Sequence, residues 1–309
     1  MHKFAQSYIS KVQKLERKFR LGVVYPCSEY ALLGALEVLN ENLAIPVLIG
    51  PAVKIKQIAA EHKIDISNME IIDEPTSVSA AKFAVDLVNQ GKLDFLMKGS
   101  LHTDEFIRPA LSSTGGLRTN RRVTHCTVMD IPHYDRPLFV ADIAVNVAPD
   151  LDTKVHITQN AIDLAISLGI KDIKVAILSA DEQVRGAMPS TIDAACISKM
   201  AQRGQIKGAI VDGPLAFDAA ISTTAAEVKG LVSPVAGVAD VLVCPSIEAG
   251  NILVKQLKYF AGAIMPGIVL GTKVPMVITS RADEALTRSA SCAIAVIYLD
   301  WLLKQNGAK

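Results

Sequence analysis

Ser280, Arg281 and Asp283 follow directly on the apolar run Val274-Pro-Met-Val-Ile-Thr279. They bring a hydroxyl donor, a permanent cation and a proton-accepting carboxylate within four residues. A guanidinium of this kind can meet negative charge that develops in a transition state. The β-branched run before them reads as a buried strand. In open α/β sheets, ligands bind beyond the carboxyl ends of the strands, so these three residues stand where a functional site is expected. A solvated loop with a helix cap is the competing reading.

Other segments carry similar chemistry. Lys98-Gly-Ser-Leu-His-Thr-Asp104 follows a strand candidate; Gly99 would let the backbone approach a ligand, and Lys98, Ser100, His102 and Thr103 supply polar groups. It is not a Walker loop, because G-x-x-x-x-G-K-[ST] is absent, and Thr103 or Asp104 could simply cap a helix. Arg118, Arg121 and Arg122 place guanidiniums in a glycine-flanked loop, with Arg108 nearby. Arginine suits phosphate because its fork donates paired hydrogen bonds. A solvated charge run is the alternative. Ser190 and Thr191 open a helix that either could cap, with Asp193 near the reciprocal capping-box position; the same helix start would attract phosphate. Asp212 ends a strand in Asp212-Gly-Pro-Leu-Ala-Phe-Asp218 and could position a substrate.

Several classes are set aside. H-E-x-x-H and G-x-S-x-G are absent, and no G-x-G-x-x-G follows the first strand. The five cysteines are scattered without C-x-x-C spacing, which fits a cytoplasmic protein and gives no metal site. His125 and His133 read as structural. A net charge of +1 argues against a nucleic-acid footprint. No apolar run approaches the ~18 residues of a membrane span. The basic first twenty residues lack the apolar core of a signal peptide and read as an amphipathic helix.

The elements that must hold these residues alternate. Strand candidates are 21–25, 46–49, 69–72, 94–97, 123–129, 138–141, 174–179, 209–212, 241–244, 268–270 and 274–279. Helical periodicity fills 30–40, 78–89, 154–168, 191–202 and 224–231. This is an α/β pattern with mostly parallel sheets covered by helices on both faces. The tail 284–302 puts Leu286, Ala290, Ile294, Ile297 and Trp301 on one stripe of a packing helix. A change of texture near 141–153 suggests a first domain of residues 1–145 and 283–309, discontinuous, around a second domain of residues 146–282. The two would flank a cleft and both contribute active residues.

K-G-S-L-H-T-D, L-R-T-N-R-R-V-T-H, A-P-D-L-D-T-K, I-T-Q-N-A-I-D-L-A, M-P-S-T-I-D-A-A, D-G-P-L-A-F-D-A-A-I-S, S-P-V-A-G, E-A-G-N-I-L-V-K-Q-L and T-S-R-A-D occur in this order. Together they resemble the phosphate acetyltransferase/phosphate butyryltransferase family, closest to the branch also found behind MaoC-like hydratase domains. The resemblance implies two mostly parallel three-layer α/β domains with an interdomain cleft, like isocitrate and isopropylmalate dehydrogenases, and a homodimer. It implies the reaction acyl-CoA + phosphate ⇌ acyl phosphate + CoA, with coenzyme A as substrate and no redox cofactor or metal. Ser280 and Arg281 match the family's catalytic Ser-Arg. The family's aspartate base has Thr287 opposite it in an ungapped match; Asp283 is the nearest acid and the candidate base. For that reaction the residue types assign phosphate to Ser190, Thr191 and an arginine such as Arg108, with Arg118, Arg121 and Arg122 as candidates for the CoA phosphates. Two rivals are a metal-dependent hydroxy-acid dehydrogenase on the same fold and a non-catalytic CoA- or phosphate-binding protein.

Overall fold

The computed structural model describes residues 2–279, 283–305 and 307. The chain begins with α1 (Lys3–Gln13), β1 (Arg20–Val24), α2 (Glu29–Asn40), β2 (Ile45–Gly50), α3 (Ala52–Glu61), β3 (Glu70–Asp73), α4 (Ser77–Asn89), β4 (Phe95–Lys98) and α5 (Thr103–Ala110). It continues with β5 (Thr124–Met129), β6 (Leu138–Ala141), α6 (Leu151–Ser167), β7 (Lys174–Leu178), α7 (Pro189–Gln202), β8 (Ile210–Leu215), α8 (Phe217–Ile221), α9 (Thr223–Val228), β9 (Val241–Val243) and α10 (Ile247–Ala261). β10 (Gly267–Leu270), β11 (Met276–Val277) and α11 (Ala285–Gln305) complete it. Each strand candidate read from the sequence contains or overlaps an observed strand.

The chain divides into two compact units. A terminal unit comprises Ala5–Arg121 and Pro266–Lys309; a central unit comprises Met1–Phe4 and Arg122–Met265. These boundaries differ from the expected 145/146 and 282/283. The reason is sheet pairing, which composition does not reveal. β6 pairs in parallel with β9 and antiparallel with β5, which takes residues 122–145 into the central unit. β10 pairs antiparallel with β11, and β11 runs parallel to β4, which takes 266–279 into the terminal unit.

In the terminal unit the strand order is β3-β2-β1-β4-β11-β10. The chain steps outward from β1 to β2 to β3, and α4 then carries it back to β4 on the other side of β1. That reversal makes a topological switch point between the carboxyl ends of β1 and β4, the place where such sheets bind ligands. Leu21, Gly22, Val23 and Val24 of β1 are buried, as are Phe95, Leu96 and Met97 of β4. Strands covered on both faces are therefore apolar runs, with no alternation.

In the central unit the order is β5-β6-β9-β7-β8, parallel from β6 to β8. Here α7 carries the chain outward from β7 to β8, and α8 and α9 return it to β9 on the other side of β7. The switch point lies between β7 and β9. Its core joins Leu138, Val140, Ala176, Leu178, Leu215, Val235 and Leu242.

The last helix departs from the sequence expectation. Instead of one apolar stripe, α11 is buried on all sides from Thr287 to Leu299. Helices that are apolar all round are core elements. It is long and apolar enough to meet the dimensions of a membrane span, which the sequence reading did not foresee, but most of it is packed inside the protein.

Candidate active site

At the terminal unit's switch point, the ends of β1 and β4 are laced together. Gly99 N–H donates to Val24 O at 2.9 Å, and Ser100 N–H donates to Tyr25 O at 2.8 Å. Ser28, the N-cap of α2, has its Oγ 2.6 Å from Ser100 Oγ. Gly99 was expected to make room for a ligand. A Cβ there would lie 2.5 Å from Val24 O and 2.7 Å from Tyr25 O, so the close approach it permits is to the protein's own backbone.

Lys98 is half-buried, and its Nζ donates to Leu101 O at 3.1 Å and more weakly to Gly99 O at 3.3 Å. It thus shapes the turn that carries Ser100. His102 takes the N-cap position of α5, and its N–H points to Glu105 Oε2 at 3.4 Å, so the cap falls one residue before Thr103. His102, Thr103 and Arg108 are exposed. Arg108 pairs with Asp104 at 3.3 Å on the solvent face of α5.

β11 pairs in parallel with β4, with Val277 opposite Met97, so the chain leaves β11 at the end where Lys98–Ser100 lie. Thr279 is buried there. Ser280 and Arg281 lie outside the described residues. Asp283 is half-buried, and its carbonyl oxygen accepts from Arg288 Nη1 at 2.6 Å. Thr287 is buried on the first turn of α11, and its N–H donates to Glu284 O at 3.0 Å.

The 118–122 loop carries three guanidiniums. The division between the units falls between Arg121 and Arg122. Arg118 bridges to Thr272 beside the β10–β11 turn, and Thr119 Oγ1 donates to Gly271 O at 2.7 Å while accepting from Arg121 N–H at 3.0 Å. This turn precedes β11, so Arg118 and Arg121 are attached to the amino end of the terminal unit's sheet. Arg118 also lines a polar cavity of about 510 Å³ with Lys273, Asp86 and Ser112. Arg122 is exposed just before β5, and its carbonyl accepts from Asn160 Nδ2 at 3.0 Å. Because β5 runs antiparallel to β6, Arg122 is at the carboxyl end of the central unit's parallel strands. Its charge is among the lesser influences that keep Asp150 below the ordinary carboxylate range; hydrogen bonds from Thr153 are the largest.

At the central unit's switch point, Ser179 follows β7, and its Oγ is 2.8 Å from Ser190 Oγ in the first turn of α7. Pro189 occupies the start of α7 after Met188, and no side-chain hydrogen bond caps the helix. The expected cap by Ser190 or Thr191 is therefore absent. Thr191 is fully buried, and its hydroxyl donates to Met188 O at 2.7 Å and accepts from Arg185 N–H at 2.9 Å. It fixes the preceding loop. Asp193 closes no capping box; it pairs with the buried Lys154 at 2.6 Å. Pro189 has no N–H and the Thr191 N–H donates to Met188 O at 3.0 Å, so the Ser190 N–H and the Ser179–Ser190 hydroxyls are the groups that suit an anion here.

Asp212 accepts from Gly213 N–H at 2.8 Å and from Ser233 Oγ, whose other contacts are the N–H groups of Val235 and Ala236 at 3.1 Å each. Asp212 thus ties the D-G-P-L-A-F-D segment to S-P-V-A-G. Asp142, 2 % exposed, accepts from the N–H groups of Ala144 and Val145 and from Asn146 Nδ2 at 2.6 Å. Among the described residues, no group of three or more His, Cys, Asp or Glu is placed to hold a metal ion.

Sequence reasoning gave no role to Ser28, Ser179, Lys154 or Arg288. Ser28 and Ser179 each stand just beyond a strand, a signal that was present. Lys154 and Arg288 are betrayed only by burial.

Residues 74–296 match the family model described as phosphate acetyl/butaryl transferase. The chain is 51 % identical over 276 residues to phosphate acetyltransferase of Rhizobium meliloti, covering 89 % of this chain and 87 % of that one. It is 40 % identical over 297 residues to phosphate butyryltransferase of Clostridium acetobutylicum, covering 96 % and 98 %. Among solved structures, a branched-chain phosphotransacylase from Enterococcus faecalis superposes with a TM-score of 0.79 at 29 % identity, over 91 % of this chain and 99 % of that one. With hydroxyl-bearing turns at the carboxyl ends of parallel strands and a match over most of its length, this chain belongs to the phosphate acetyl/butyryl transferase family.

Proposed function

We propose that this protein is a phosphate acyltransferase, which moves a short acyl group such as acetyl or butyryl between the sulfur of coenzyme A and inorganic phosphate. The observation that carries the proposal is the Ser280-Arg281 pair, in a chain of this family, placed in the sequence directly after a strand whose carboxyl end lies beside the Ser28–Ser100 turn. In the direction of thioester formation, the CoA thiol gives its proton to a base, with Asp283 as candidate. The thiolate attacks the carbonyl carbon of the acyl phosphate. A C–S bond forms, the C–O bond to phosphorus breaks, and phosphate leaves with the electron pair. The charge on the carbonyl oxygen in between is the one Arg281 would meet, an effect of about 3–4 kcal/mol for one such donor. Ser280 would hydrogen-bond the sulfur or that oxygen.

Phosphate fits the first turn of α7, where Ser190 and Ser179 offer hydroxyls beside the Ser190 N–H. Arg122 and Arg108 are the exposed cations available to phosphoryl groups, and Lys98, Ser100, His102 and Thr103 line the β4 turn. Asp212 would act through Ser233, and Thr191 by holding the loop before α7. Arg118 and Arg121 would serve CoA only through its outer phosphates, given their attachment to the β10–β11 turn. The reaction needs no redox cofactor. Five free cysteines agree with a cytoplasmic setting. A homodimer is part of the proposal, and Ile252, Tyr259 and Phe260 form an exposed apolar face on α10 suited to a second copy.

The test is thiol release from acetyl-, propionyl- and butyryl-CoA with and without phosphate. Release that requires phosphate and yields acyl phosphate supports the proposal. Reduction of NAD by hydroxy-acids with a divalent metal, and no thiol release, would favour the dehydrogenase reading.

A further inference from the structure

Arg288 lies five residues after Asp283, on the first turns of α11, and is only 9 % exposed. A guanidinium so buried must spend its donors on protein groups. Nε donates to Glu37 Oε2 at 2.8 Å, and Nη2 donates to Glu37 Oε1. Nη1 reaches the carbonyl oxygen of Asp283 at 2.6 Å. The Tyr30 ring stacks against the guanidinium, 5.0 Å from its centroid. Burial opposes the charge on Arg288, but its hydrogen bonds and attraction to Glu37 outweigh that, and its pKa is raised.

The geometry has a direction. Glu37 and Tyr30 belong to α2, which is capped by Ser28 at the end of β1. The forked bond to Glu37 therefore fixes Arg288 to the helix that leaves the switch point, and its third donor passes that position on to Asp283. A buried ion pair is a costly route to stability alone, since well-packed apolar residues often serve as well. Lysine could not make the same three bonds, because it lacks the rigid fork.

We propose that Arg288, locked by Glu37, is a positioning residue for acyl transfer: it holds the Asp283 backbone and so sets where that carboxylate and the start of α11 stand. This rests on the acyl-transfer reading with Asp283 close to the reacting atoms. The test uses full-length Arg288→Lys and Glu37→Gln, with kcat, the KM values for CoA and acyl phosphate, and amide hydrogen exchange measured on each. Arg288→Lys is expected to lower kcat at least tenfold, leave both KM values within about twofold, and speed exchange at residues 284–288 while β1 and β4 stay protected. Glu37→Gln, which leaves the bond to Asp283 in place, is expected to give a smaller loss in kcat with the same unchanged KM values. A folded Arg288→Lys with the parent kcat overturns the proposal. If that variant does not fold, parent kcat in Glu37→Gln overturns it instead. An unsubstituted protein with no acyl-transfer activity contradicts the reaction itself, whereas an active parent with an unaffected Arg288→Lys contradicts only this proposal.

Discussion

Ser28 Oγ lies 2.6 Å from Ser100 Oγ and joins the turn after β1 to the turn after β4. The contact sits at the reversal of strand order in the terminal unit, so one hydroxyl pair marks the place where the sheet is built to receive a ligand. The same Ser28 oxygen accepts from Ala31 N–H at 3.3 Å and caps α2.

The two serines should therefore separate in their effects. Ser28→Ala loses both a cap and the contact with Ser100, and is expected to lower stability by about 1 kcal/mol, the usual worth of a serine cap. Ser100→Ala loses only the second and should cost less. Urea unfolding of both single variants and the double variant gives the coupling; additive losses would mean that the hydroxyl contact contributes nothing.

Arg281→Gln should lower kcat at least tenfold with little change in the KM for CoA, because the charge it meets exists only in the transition state. Steady-state kinetics with acyl phosphate checks this, and an unchanged kcat removes Arg281 from the mechanism. For the proton acceptor, Asp283→Asn and Thr287→Val are compared across pH. Asp283→Asn is expected to lower kcat at least tenfold, whereas Thr287→Val keeps most of the parent turnover. Parent turnover in Asp283→Asn would refute Asp283 as the base.

Ser190 and Thr191 are adjacent in sequence but differently employed. Ser190→Ala should raise the KM for phosphate several-fold and leave thermal stability near the parent value. Thr191→Val removes the buried hydroxyl that accepts from Arg185 N–H and donates to Met188 O, and each such bond is typically worth about 0.5–1.5 kcal/mol. Its main effect should be on unfolding, read from denaturant curves. The opposite assignment of effects would show that Thr191 contacts the ligand.

Glu41 gives a prediction in pH. Burial raises its carboxyl pKa above the ordinary value; the Ser289 hydroxyl opposes the rise and the neighbouring Glu37 adds to it. The folded state therefore binds the proton more tightly than the unfolded chain. Its stabilising contribution is full below the unfolded glutamate pKa and is lost as pH rises through the folded value. Glu41→Gln should raise the thermal midpoint at pH 7 and change it less at pH 4. Equal shifts at both pH values would show that the carboxyl does not titrate differently on folding.

Much of the architecture was legible because burial on both faces forces strands such as 95–97 and 138–141 to be continuous apolar runs, and helices between them keep their periodicity. The unit boundary was not legible. The glycine-flanked arginine loop that holds Arg121–Arg122 reads as a candidate binding loop and not as a boundary; the boundary follows from β6 pairing with β9 and β10 with β11, choices made between distant segments. α11 was misread as amphipathic because alanine, serine and threonine on its second face look polar enough for solvent, yet they pack inside. Hydroxyls posed the same difficulty at the candidate site. Residue type cannot tell Ser190, half-buried beside Ser179, from Thr191, whose oxygen is committed to the backbone. Gly99 was singled out correctly for close approach, but only coordinates reveal that its neighbour is the carbonyl of Val24.

The most direct measurement of the central claim is free-thiol release from acetyl-CoA and butyryl-CoA by the purified protein, with phosphate present or withheld and the acyl phosphate product trapped in parallel. The account predicts release that depends on phosphate and matches acyl phosphate mole for mole. Release that is indifferent to phosphate, or none with any short acyl-CoA, would contradict it.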